Sequence, residues 1–160
     1  MKYNYHLFGL MFAACFLGQN SGFSQVNPNN ATTSRGLQLV ARTAKTNYLA
    51  GERIVLDIVI TNGSQHTFSY GSAMPTSGYK YRVVGLADKQ NAPLTRIGHK
   101  WFFEAQNYHM EMVEIPPGQT YTNKAIVNQL FDVTIPQEYE ITVSRQSLQS
   151  NPVRFSVQSW

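Results

Sequence analysis

Three histidines lie beyond the apolar leader, His66, His99 and His109, and the last two have Glu104 and Glu111 close by in sequence. A zinc centre needs three or four ligands converging tetrahedrally, with further hydrogen bonds behind them. No His-Glu-x-x-His is present, and the lone cysteine, Cys15, sits inside the leader. These residues therefore imply neither a metal nor any other cofactor. Nucleophilic chemistry has no better support, because there is no Gly-x-Ser-x-Gly elbow and nothing marks a serine as activated. Glycosidase-like chemistry needs a carboxylate pair flanking the scissile bond. Asp57, Glu104, Glu111, Glu114, Asp132 and Glu140 supply carboxylates, but their spacing pairs none of them. A phosphate-cradling glycine loop is missing. The sequence thus reads as non-catalytic.

Binding chemistry is more visible. The stretch from Arg96 to Tyr108 reads RIGHKWFFEAQNY. Trp, Tyr and Arg are the residue types most enriched where binding energy concentrates, and connections on a rigid scaffold commonly carry recognition. Arg96, His99, Lys100, Trp101 and Tyr108 are the candidate binding residues. A Trp or Tyr face could stack on a sugar ring; alternatively, Trp101 and Phe103 fill the core.

The elements that position this stretch must be read from composition and periodicity. Charged residues make up 14% of the 160-residue chain, below the roughly 25% usual for soluble domains. Nine Tyr, nine Phe and two Trp accompany many small polar residues, a mix suited to strands. The formal charge is +4, and the basic residues are scattered singly. No basic stripe of the kind that binds nucleic acid exists.

Residues 1–24 read as a signal peptide. Lys2 is its positive end, Leu7 to Leu17 its apolar core, and cleavage is expected before Gln25. That core is shorter than the about 20 residues a membrane span needs, and no later transmembrane segment is expected. The chain is expected to be exported, to the periplasm or the medium. A rival reading takes Phe12-Ala13-Ala14-Cys15 as a lipoprotein box, with Cys15 as a lipid anchor. Residues 25–35 read as a flexible linker and residues 36–160 as one domain.

Within 36–160 the apolar period is two. The clearest strand is Arg53 to Asn62, where Ile54, Leu56, Ile58 and Ile60 share one face. Further strands are expected at 37–43, 67–70, 79–84, 101–103, 110–115, 120–127, 138–144 and 153–157, although 100–110 could hold a short helical turn. Residues 48–52 read as a turn, as do Asp88 to Pro93 and Pro116-Pro117-Gly118. The expected fold class is all-β, an immunoglobulin-like antiparallel β-sandwich of about seven to nine strands.

The run from Glu52 to Ser144 has an apolar strand ending Thr61-Asn62-Gly63, an aromatic middle, Pro116-Pro117-Gly118 before Gln119, and a late Tyr139. In this order of features it resembles bacterial immunoglobulin-like modules. These include the intracellular proteinase inhibitor domain of bacilli and the β-domain beside some secreted metallopeptidases. The family's Tyr-Asp-Leu and Pro-Gly-x-Tyr stand here as Phe131-Asp132-Val133 and Pro136-Gln137-Glu138-Tyr139. The resemblance implies a tyrosine corner, with the Tyr139 hydroxyl bonded to the backbone of the preceding corner, and a protein partner such as a protease. Three functions follow in order: a secreted protein-binding module, a carbohydrate-binding accessory domain using exposed aromatics, and a small secreted enzyme.

Overall fold

The computed structural model describes residues 33–34, 36–72, 78–104 and 111–160. The strands are β1 (Thr33–Ser34), β2 (Leu37–Thr43), β3 (Asn47–Leu49), β4 (Val55–Asn62), β5 (Phe68–Ser72), β6 (Lys80–Gly85), β7 (Glu111–Ile115), β8 (Thr120–Ile126), β9 (Gln137–Arg145), β10 (Leu148–Gln149) and β11 (Val153–Gln158). Helix α1 (Arg96–Phe103) lies between β6 and β7, and helix α2 (Val127–Leu130) follows β8. The leader 1–24 lies outside the described residues, as does Cys15. No helix among the described residues is long and apolar enough to cross a membrane.

One sheet has the order β1-β2-β4-β8, and every pairing in it is antiparallel. A second runs β10-β9-β11-β3, with β6 also on β9, and its β11–β3 pair is parallel. β5 and β7 make a separate two-stranded ribbon. Strand β4 shows how sequence becomes packing: Leu56, Ile58, Ile60 and Asn62 are buried, while the residues between them are half-buried. A fully buried Leu or Ile contributes about 1.5–3 kcal/mol. From the second sheet, Tyr139, Ile141, Val143, Phe155 and Val157 join the same core. The Tyr139 and Phe155 rings stack at 5.6 Å, and Tyr48 meets Phe155 edge-on at 6.0 Å.

Two buried asparagines tie segments together. Asn151 reaches Ala41 in β2, its Oδ1 accepting from the Ala41 N–H and its Nδ2 donating to the Ala41 carbonyl, both at 3.0 Å. Asn62 closes β4. Its Nδ2 donates to the carbonyls of Ile115 at 2.7 Å and His66 at 2.8 Å, and its Oδ1 accepts from the Ser64 N–H at 3.0 Å. Gly118, at φ 75, lets the Pro-Pro-Gly turn fold back so that its N–H meets the Asn62 carbonyl.

This architecture overturns the expected fold class. The described residues form a mixed α/β fold with two helices and three separate, unclosed sheets, so the chain is not an immunoglobulin-like all-β sandwich. The resemblance to the proteinase inhibitor and metallopeptidase-associated modules falls with it. The physical reason is local. Residues 101–103, expected as a strand, form the end of α1, and residues 127–130 leave the sheet as α2. Two-residue alternation tells which side chains share a face, but it does not tell how sheets are joined.

Candidate functional site

Helix α1 starts at Thr95, whose extended backbone and side chain make it the N-cap. Its Oγ1 accepts from the Gly98 N–H at 2.9 Å and donates to the Gln129 carbonyl, while its own N–H donates to the Leu130 carbonyl at 3.0 Å. The cap therefore fixes α1 directly on α2. Gly98 is buried at this junction, where a Cβ would lie 2.0 Å from the Leu130 carbonyl oxygen. The inward face continues with Phe102, whose ring is 5.9 Å from Tyr81 and 6.0 Å from Phe131.

Residues three and four apart share a helix face, and this sets the outward surface. Arg96, Lys100 and Glu104 form one exposed row, with His99 and Phe103 beside it. The His99 and Phe103 rings are 4.9 Å apart, and His99 Nδ1 is 3.8 Å from Glu104 Oε1. Phe103 is 67% exposed and Ile97 48%. Arg96, Ile97, Lys100 and Glu104 border an open depression of about 480 Å³, within the range of ligand sites.

Of the candidate binding residues, α1 thus gathers Arg96, His99 and Lys100 on its exposed side. Trp101 is half-buried and packs against the core. Tyr108 and His109 lie outside the described residues. Sequence reasoning missed Ile97 and Phe103 as surface groups. Their three- and four-residue spacing from Lys100 and His99 would have shown this had the segment been read as helix.

Tyr139 lies in β9, and its hydroxyl donates to the Ile135 carbonyl at 2.8 Å. Burial pushes its pKa up. Tyr139→Phe removes this bond and the hydroxyl's contact with the Gln137 side chain, and is expected to cost about 1 kcal/mol, read as a lower urea midpoint at unchanged slope.

A second aromatic group is internal. The Arg145 guanidinium lies 4.0 Å over the Tyr70 ring and 4.8 Å over Tyr79, and Nη2 donates to the Gly71 carbonyl at 3.1 Å. Burial drives the Tyr70 and Tyr81 hydroxyls well above the usual phenol range. Tyr70, Tyr79 and Arg145 are buried, and half-buried Tyr81 packs against the core.

Among the described residues, no group of three or more His, Cys, Asp or Glu could hold a metal ion. Two strand carboxylates, Asp57 and Glu140, pair with cations. Asp57 meets Lys124 at 2.6 Å and Arg42 at 3.7 Å, and Glu140 meets Arg154 at 2.9 Å.

No protein-family model matches the chain, and no curated protein does. Solved structures similar to it include a β-glucosidase from Erythrobacter marinus, at 10% identity and TM-score 0.48, covering 76% of this chain and 15% of that one. A β-glucosidase from Listeria innocua in complex with glucose aligns at 12% identity and TM-score 0.43, over 78% of this chain and 16% of the enzyme. A Bacteroides uniformis β-glucuronidase follows at 12% identity and TM-score 0.30, over 74% and 12%. This chain therefore spans only a small part of each enzyme, and at these scores the likeness assigns neither fold nor activity.

Proposed function

We propose that the chain is an exported, non-catalytic binding module that takes up carbohydrate on the exposed side of α1. The observation that carries this reading is the Phe103 ring, 67% exposed and 4.9 Å from the His99 ring, on the same exposed side of the helix as Arg96 and Lys100, which border the depression. An apolar ring face in water suits the C–H face of a pyranose, and the guanidinium and ammonium groups donate hydrogen bonds to its hydroxyl or carboxylate oxygens. Half-buried Trp101 packs against the core and is not the main platform.

Affinity electrophoresis through gels containing neutral or acidic polysaccharides tests the reading. Phe103→Ala is expected to weaken retention about tenfold, equivalent to about 1.4 kcal/mol, with no change in melting temperature. Retention equal to that of the parent chain would remove Phe103 as the platform. A protein partner is the second reading, favoured by Ile97, which is 48% exposed on the same helix. Retention of the parent chain separates the two, since a face that takes only a protein is slowed by none of the polysaccharides.

A further inference from the structure

A different part of the molecule carries a second site. An open cleft of about 700 Å³ lies where the start of β2, the β4–β5 connection and the β9–β10 turn meet. Leu37 and Leu148 are buried in it and Phe68 is half-buried, which gives an apolar floor. Ser64, His66, Thr67, Gln146 and Ser147 line the rest. Among the described residues, the lining contains hydroxyls, one amide and one imidazole, but no Asp, Glu, Lys or Arg. An apolar floor under a few convergent polar groups is the usual make-up of a small-molecule site.

Both walls are held in place before any ligand arrives. On one side Asn62 pins the connection, accepting from the Ser64 N–H at 3.0 Å and the Ser64 hydroxyl at 2.6 Å and donating to the His66 carbonyl at 2.8 Å. On the other, Arg145 pairs with Leu148 across the two-residue turn, and Ser150 exchanges bonds with Val143 behind it, at 2.8 and 3.0 Å. Preformed walls spare a ligand the entropy of ordering them.

Gln146 is the telling residue. Its φ is 52, in the left-handed region where a side chain is strained and where such turns favour Gly, Asn or Asp. Glycine would relieve the strain. Glutamine instead presents at the rim an amide that both donates and accepts. Strain kept at a cleft is a reason to suspect a role there.

We propose that this cleft is a second binding site, independent of the α1 surface, for an uncharged, hydroxyl-rich ligand of about disaccharide size. The ligand's less polar face rests on Phe68, and its hydroxyls bond Gln146 and His66. The described lining residues offer no Lys or Arg, which selects against acidic sugars, since these would lose hydration without gaining a cation.

The test is an NMR titration of the isotope-labelled chain with cellobiose, maltose and lactose, with galacturonate, taken as its disaccharide, as the charged counterpart. The Gln146 side-chain amide and the Phe68 and His66 signals report the cleft, and Phe103 reports α1. At least one neutral disaccharide is expected to shift the cleft signals, and galacturonate is expected to leave them unmoved. Gln146→Gly is expected to melt at or above the parent temperature, yet to bind that sugar about fivefold or more weakly. Phe103→Ala is expected to keep cleft binding intact, so failure at α1 and failure here read out separately. The proposal is overturned if no neutral disaccharide shifts the cleft signals at tens of millimolar. It is equally overturned if galacturonate binds there as well as they do, or if Gln146→Gly binds like the parent.

Discussion

Gly98→Ala is expected to destabilise the fold by about 3 kcal/mol, the upper part of the usual overpacking range. The sign is the informative part. In an exposed helix interior, alanine is better than glycine by about 1 kcal/mol, so propensity alone foretells a gain. The new methyl, however, would lie 2.0 Å from the Leu130 carbonyl oxygen and 2.8 Å from its carbon. These are backbone atoms and cannot rotate aside as a long side chain could. Helix α1 must lift away from α2, loosening the Thr95 N–H bond to Leu130 and the packing of Phe102 on Phe131. Urea unfolding measures the loss, with His99→Ala on the exposed side as a control expected to stay within about 0.5 kcal/mol. A stabilised Gly98→Ala would mean that the two helices do not touch as described.

Asn151→Ala is expected to cost a similar amount, about 2–4 kcal/mol. Ala41 is fully buried, and the Asn151 amide serves both its N–H and its carbonyl. Truncation strands two buried backbone groups at about 1–3 kcal/mol each, partly relieved if a water enters. Asn151→Asp sharpens the test because the shape is nearly kept. An ionised carboxylate can still accept from the Ala41 N–H but faces the Ala41 carbonyl with no proton to give. The protonated acid can donate there, so folding raises the pKa of the new group. Its harm is therefore least at acid pH and grows as pH rises through the folded-state value. Urea midpoints for Asn151→Asp, taken relative to the parent at pH 4 and pH 7, should show a larger deficit at pH 7. An equal deficit at both would mean that the side chain does not face the carbonyl.

Legibility in the sequence followed the range of the interactions. Ile54, Leu56, Ile58 and Ile60 could be placed on one face because strand alternation is a local property, and all four are buried. Helix α1 was harder. Trp101, Phe102 and Phe103 favour strands in isolation, and Gly98 is a poor helix former. The helix forms because Thr95 caps it and because glycine at position 98 permits the approach to α2, a tertiary fact. The exposed cation row of Arg96 and Lys100 exists only once the segment is helical, so the residue types could be named but not their arrangement. β3, read as a turn, is a strand because of β11, more than 100 residues away. The cleft joins three distant segments, and the strained backbone of Gln146 leaves no mark in residue type. The sandwich expectation failed for the same reason, since sheet connection is decided by long-range contacts.

The parallel pairing of Asn47–Leu49 with Ser156–Gln158 sets a timetable for the chain. A nascent polypeptide emerging from the ribosome holds the early partner long before the late one exists. The second sheet can therefore reach its final form only after residue 158 is free, and closing so long a loop is slow.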